Sequence, residues 1–140
     1  MKRFDSKKIL TIISLSVVVA LIYSFSPKSD QEKWVAPAKY DSMKNPTSAS
    51  DASGMTVGKN LYMQHCKSCH GKDGLGDGPK SAELNTPSGD FSTEEFQSQS
   101  DGSMFYKIKE GRDDMPSFAK KIPDYEDIWY VVNFLKTLKE

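Results

Sequence analysis

Two thiols and an imidazole stand within five residues of one another, in Cys66-Lys67-Ser68-Cys69-His70. These are the chain's two cysteines, and the one other histidine is His65. Thiols this close suit a redox pair, half of a zinc site, or the attachment of a haem. A redox Cys-x-x-Cys needs a strand before it in a βαβ unit, and no such pattern precedes Cys66. Zinc needs four ligands, and His65, beside Cys66, closes a tetrahedron awkwardly. A disulfide between these two cysteines would be strained. Cys-x-x-Cys-His is the pattern of covalent c-type haem attachment. The thiols add to vinyl groups on adjacent porphyrin rings, and the histidine is then held under the iron as its proximal ligand. We therefore read Cys66, Cys69 and His70 as the binding residues of one covalent haem c, with His70 ligating the metal.

The sixth position needs a second ligand. His65 adjoins a residue bonded to the near haem edge and does not reach the opposite face. Of the six methionines, Met1 precedes the apolar N-terminal run and Met43 lies in a polar segment. Met55 and Met63 belong to the helix leading into the attachment site, and Met104 fits a core position. Met115 differs. It sits in Gly111-Arg112-Asp113-Asp114-Met115-Pro116, a polar loop 45 residues beyond His70, where Pro116 removes a donor and stiffens the chain. A thioether ligand favours reduced iron and raises its potential. With His70 and Met115 both on the metal no site stays open for substrate, so the expectation is an electron carrier and not an enzyme. Asp113 and Asp114 are candidates for a docking surface or for a plain solvated turn.

The elements that would position these residues are short. Residues 56–64 place Val57, Leu61 and Tyr62 at helical spacing. Residues 71–80 contain four glycines and a proline and read as a loop. Residues 103–110 suit a short helix burying Met104, Phe105 and Ile108 and stopped by Gly111. Asp124 is a good N-cap for a helix with Ile128, Val131, Val132, Leu135 and Leu138 on one face. No alternating strand is evident, so the body is expected to be small and mainly α. Its apolar content is modest for 86 residues, and a large apolar cofactor would complete the core.

Ahead of this body, Met1-Lys2-Arg3 and Lys7-Lys8 precede an uncharged apolar run at residues 9–25. Such a run suits a membrane anchor (a cleaved signal is the alternative), and the basic flank keeps the N-terminus inside and exports the rest. Residues 26–54 are rich in Ser, Lys, Ala, Asp and Pro and read as a linker. Its Trp34-Val35-Ala36-Pro37 stretch either stays flexible or docks on the body or a partner. The domains expected are thus 1–25, a signal-anchor; 26–54, a linker; and 55–140, the folded unit. Net charge is zero, with 19 basic and 19 acidic residues. Residues 1–53 carry 8 basic and 5 acidic residues, residues 54–140 carry 11 and 14, so the tail is +3 and the body −3. No basic stripe or nucleic-acid motif appears, which sets that class aside.

Together these residues resemble a class I cytochrome c over nearly all of residues 55–140. Gly58 and Tyr62 stand eight and four residues before Cys66, where that family has a glycine and an aromatic at the crossing of its first and last helices. Val131-Val132-Asn133-Phe134-Leu135 resembles the last helix, with Trp129 or Phe134 at the contact. Gly78-Pro79 resembles the loop whose proline carbonyl accepts the proximal histidine's Nδ1–H. Met115-Pro116-Ser117-Phe118 resembles the distal ligand loop. Residues 34–46 are similar to those of membrane-anchored monohaem respiratory cytochromes of Bacteroidetes-type bacteria. Pro87-Ser88-Gly89-Asp90-Phe91 maps to no pattern, which leaves the residues meeting the haem propionates unassigned.

The resemblance implies a small cytochrome c fold around one haem, on the periplasmic side of a bacterial cytoplasmic membrane that the chain crosses once. Its partners would be respiratory donor and acceptor complexes, between which it shuttles single electrons. Two alternatives stand beside this. One is a fixed cytochrome c subunit of a larger oxidoreductase. The other is a haem enzyme or sensor with an open sixth position, for which Arg112 and the ill-placed His65 are the available catalytic groups.

Overall fold

The computed structural model describes residues 33–139, which fall in one compact unit. The run at residues 9–25 expected to anchor the chain lies outside the described residues. Among those described, no helix is long and apolar enough to cross a membrane. The unit is mainly α. In chain order come α1 (Ala38–Asp41), α2 (Ala52–His65), α3 (Lys67–His70), a 3-10 turn (Ser81–Glu83), α4 (Glu94–Gln97), α5 (Asp101–Glu110) and α6 (Tyr125–Lys136). Among the described residues no strand forms, and Arg112 and Met115 make an isolated antiparallel bridge.

The helix starts follow the side-chain oxygens. Asp51 accepts from the backbone N–H of Ser53 and Gly54, Thr93 from Phe96, Ser100 from Ser103 and Asp124 from Glu126. Each satisfies amides that the first helical turn leaves unpaired. Two of these caps extend the expected helices toward the N-terminus. The helix expected over 56–64 begins at Ala52 because Asp51 caps it, and the one expected over 103–110 begins at Asp101 because Ser100 does.

The most extensive helix–helix packing is between α2 and α6. The face of α2 that does the packing differs from the expected Val57, Leu61 and Tyr62. Val57 is exposed, Leu61 is partly buried, and the fully buried stripe is Gly54, Gly58 and Tyr62. These recur every four residues, one above another on the helix. A Cβ on Gly58 would stand 2.1 Å from the Tyr130 carbonyl oxygen, so the two backbones approach as closely as only glycine permits. The partner on α6 is therefore the backbone of Tyr130. Phe134 does meet Tyr62, with ring centroids 5.1 Å apart, but Trp129 stacks instead on Phe105 of α5 at 4.2 Å. The core gathers Tyr62, Met104, Phe105, Ile108, Ile128 and Val132 with their neighbours on α6.

Residues 33–51, expected to be part of a linker, lie in the same compact unit as the body. Tyr40 of α1 packs on Tyr106 of α5 at 4.8 Å, and the Ser100 hydroxyl donates to Asp41 at 2.7 Å. Asn45 Nδ2 donates to Asn133 Oδ1 at 2.8 Å, while Asn133 Nδ2 donates to Thr47 Oγ1 at 2.9 Å. Asn133 is buried in α6, and this strap supplies the partners its amide requires. Of the alternatives open for Trp34, the structure has the docked one: its ring faces Arg112 and Lys107.

Candidate functional site

Cys66 ends α2 and begins α3, so the chain changes direction at the first thiol. The backbone N–H groups of Cys69 and His70 both donate to the Cys66 carbonyl, at 3.1 and 3.0 Å. One tight turn thus holds both thiols and the imidazole. Both cysteines are free and partly buried. Burial, with a smaller push from Cys69, raises the Cys66 thiol to about 12, so it stays protonated at neutral pH. Among the described residues no group of three or more His, Cys, Asp or Glu side chains is placed to hold a metal, so the zinc alternative finds no further ligands there.

His70 packs, tilted by 31°, against a ring that sequence reasoning left unassigned. Its imidazole and the Phe91 ring have centroids 4.5 Å apart, and Phe91 stacks in turn on Phe96 of α4 at 4.2 Å. The Gln97 side chain keeps Phe91 in place, its Nε2 donating to the carbonyls of Phe91 at 2.7 Å and Leu135 at 3.0 Å. Burial holds the imidazole below its ordinary pKa, against a smaller opposing pull from the Ser88 backbone, so the ring is neutral. Its Nδ1 is buried without a hydrogen-bond partner. The bond expected between Nδ1 and the Pro79 carbonyl is therefore not formed. The Gly78-Pro79 stretch packs instead through backbone: Gly78 N–H donates to the Cys69 carbonyl at 3.2 Å and Lys80 N–H to that of Ser68 at 2.8 Å.

Two thiols in one turn beside a neutral, partly buried imidazole are the donor set that covalent haem requires. On that observation the residues fit the group.

The turn that carries these donors is fixed from behind. Gly71 follows His70 with φ +81°, a conformation that L side chains rarely adopt, and its carbonyl accepts the buried Tyr62 hydroxyl at 2.7 Å. His65, the last residue of α2, packs its ring near Phe118 at 6.0 Å.

Met115 sits on a separate loop. It is partly buried and packs at the edge of the core, as Cys66 does. Two backbone bonds shape its turn, Arg112 N–H to the Met115 carbonyl at 2.8 Å and Met115 N–H to the Arg112 carbonyl at 2.9 Å. The neighbouring acids have separate partners. The Asp114 carboxylate accepts from the backbone N–H of Asn85 at 2.8 Å and of Thr86 at 3.0 Å, while Asp113 pairs with Arg112 at 3.2 Å. Asp114 thereby ties the Met115 loop to the segment that leads to Ser88, beside His70. The structure brings Cys66, Cys69 and His70 into one turn, and links the Met115 loop to that turn's surroundings through Asp114. Phe91 was the residue missed, and an isolated aromatic in a polar stretch was the available signal; Asp114 was noted in the sequence but not for its tie to Asn85 and Thr86.

The family described as cytochrome c oxidase, cbb3-type, subunit III matches residues 53–135. Among solved structures, one from the Kuenenia stuttgartiensis reducing HAO-like protein complex Kustc0457/Kustc0458 is 28% identical with a TM-score of 0.59. It covers 88% of this chain, which spans 59% of that one. The KustC0563 c-type cytochrome is 31% identical with a TM-score of 0.51, over 59% of this chain and 98% of its own. No curated protein matches significantly.

Proposed function

Because the chain belongs to the family described as cytochrome c oxidase, cbb3-type, subunit III, we propose that it carries one covalent haem c and passes single electrons between respiratory complexes. The observation that carries this reading is the single turn holding Cys66, Cys69 and His70, with the imidazole neutral. When bound, the haem supplies an iron that alternates between ferric and ferrous states.

The chain's own residues would do the rest. Cys66 and Cys69 would hold the haem through thioether bonds, and His70 would present a neutral imidazole that Phe91 packs against. Met115 is the proposed second axial ligand, on a turn set by Arg112 and steadied by Asp114. Phe105, Ile128 and Leu135 keep water from the interior behind the site. With His70 and Met115 both available to hold the group, little protein rearrangement would accompany electron transfer, as an electron carrier needs. We place the domain on the periplasmic face of a bacterial cytoplasmic membrane, on the strength of the apolar run at residues 9–25 and its basic flank.

The test is a haem analysis of the purified full chain. One haem per chain that resists extraction into acidified acetone is expected; haem that extracts freely sinks the covalent reading. Fractionation with an N-terminal mass then checks the anchor, which should pellet with membranes and retain residues 1–25.

A second reading makes the chain a fixed subunit of a larger oxidoreductase. The similarity to a chain from a complex favours it. Co-purification from solubilised membranes separates the two: a stoichiometric partner supports the subunit, and a free holoprotein supports the shuttle.

A further inference from the structure

Trp34 belongs to the strap ahead of α1, far in sequence from either proposed ligand. Its ring lies 4.9 Å from the Arg112 guanidinium and 5.7 Å from the Lys107 ammonium. Two cations beside one another repel, and the burial of Lys107 together with Arg112 and Lys33 lowers its pKa. The negative face of an indole offsets such crowding, and a guanidinium stacks on it well. Lys107 is also held by the Gln99 side chain, and Arg112 by Asp113.

What Arg112 does next gives the stack its consequence. Its backbone makes both hydrogen bonds of the turn whose other end is Met115. The turn contains Asp113 at φ +52°, a backbone conformation that costs free energy in a non-glycine residue and persists only when its surroundings enforce it. A cap on Arg112 is such an enforcement.

We infer that Trp34 is a positioning residue for Met115: by stacking on Arg112 it holds the Arg112–Met115 turn in the form that presents the thioether. The strap then has two jobs, joining the domain to what precedes it and stiffening the distal loop. This inference rests on the reading of Met115 as the sixth ligand.

The experiment uses the full-length holoprotein and titrates imidazole into the ferric form, which competes with the methionine for iron and is read by the Soret shift. The far-red methionine–iron band of the untouched protein serves as the reference. Trp34→Ala should raise imidazole affinity about threefold to tenfold, the range that loss of one partly desolvated cation–π contact implies. Trp34→Phe, which keeps an aromatic face, should stay within about twofold of the parent, as expected for a weaker cation–π partner. Thr47→Ala loosens the strap at its other end, near Asn133, and should leave imidazole affinity unchanged. Unchanged affinity in Trp34→Ala overturns the inference, and so does an equal rise in Thr47→Ala, which would mean general loosening. A parent protein without the far-red band overturns the ligand reading itself, and this inference with it.

Discussion

The Tyr62 hydroxyl donates to the Gly71 carbonyl at 2.7 Å, deep in the protein, and so ties the helix ahead of the thiols to the residue directly after His70. Burial raises the phenol's pKa, so it remains a donor through the working pH range. Tyr62→Phe leaves the ring in place against Phe134 and removes the bond alone. The Gly71 carbonyl then stays buried without that partner, which costs on the order of 1–3 kcal/mol. Denaturant unfolding of the holoprotein checks this, with Lys59→Ala as an exposed control expected to shift by no more than about 0.5 kcal/mol.

Gly58 sets how near α2 and α6 come. An alanine there gains helix propensity of up to about 1 kcal/mol. Its methyl would meet a backbone carbonyl at 2.1 Å, and backbone cannot rotate away. The steric term wins, and Gly58→Ala should destabilise by about 1–3 kcal/mol. Asn60→Ala, exposed on the same helix, should be neutral or slightly stabilising. If Gly58→Ala matches it in thermal unfolding, the close approach is not a constraint.

Asp51 predicts an acid dependence. The Tyr130 hydroxyl, then the Gly54 N–H, hold its carboxyl below the ordinary value of 3.8. A depressed folded pKa contributes stability that is present above the unfolded value and lost as pH falls through the folded one. Stability should therefore decline as pH drops below about 4, partly through this group. Asp51→Asn should be less stable than the parent near pH 6 and converge with it at lower pH. Parallel curves from pH 6 to pH 2 would exclude a role for this carboxylate.

Met115→Ala should abolish the far-red band of the ferric holoprotein, open the iron to carbon monoxide on reduction and lower the potential, because a thioether favours the ferrous state. Met104→Leu, which alters a core methionine of similar volume, should leave all three unchanged. The same band surviving in Met115→Ala identifies another ligand.

Legibility followed the range of the interactions. Cys66, Cys69 and His70 could be singled out because the chemistry proposed for them is local: the attachment needs a fixed spacing along one short turn. The helices could be read from apolar spacing and their ends from Ser, Thr and Asp, though the caps at Asp51 and Ser100 lengthened two of them. Phe91 could not, because its place on His70 depends on Gln97 and on Leu135, 44 residues further on. The strap at residues 33–51 was read as linker because Asn45 and Thr47 bond to Asn133 through side chains, which leaves no periodic trace. Asp114 looked like any acid in a turn until Asn85 and Thr86 came to it.

By itself, then, the sequence determined the mainly α character and marked the candidate donor set and candidate second ligand, since each depends on residue type and on spacing within a helical turn or a single loop. Tertiary structure alone decided that Tyr62 ties α2 to the His70 turn, that Gly58 rather than Val57 faces α6, and that Phe91 covers the imidazole. It also decided that Trp34 reaches Arg112 beside Met115. These are contacts between segments distant in sequence, chosen by how the whole chain buries its apolar surface and pairs its polar groups, and no local pattern encodes that choice.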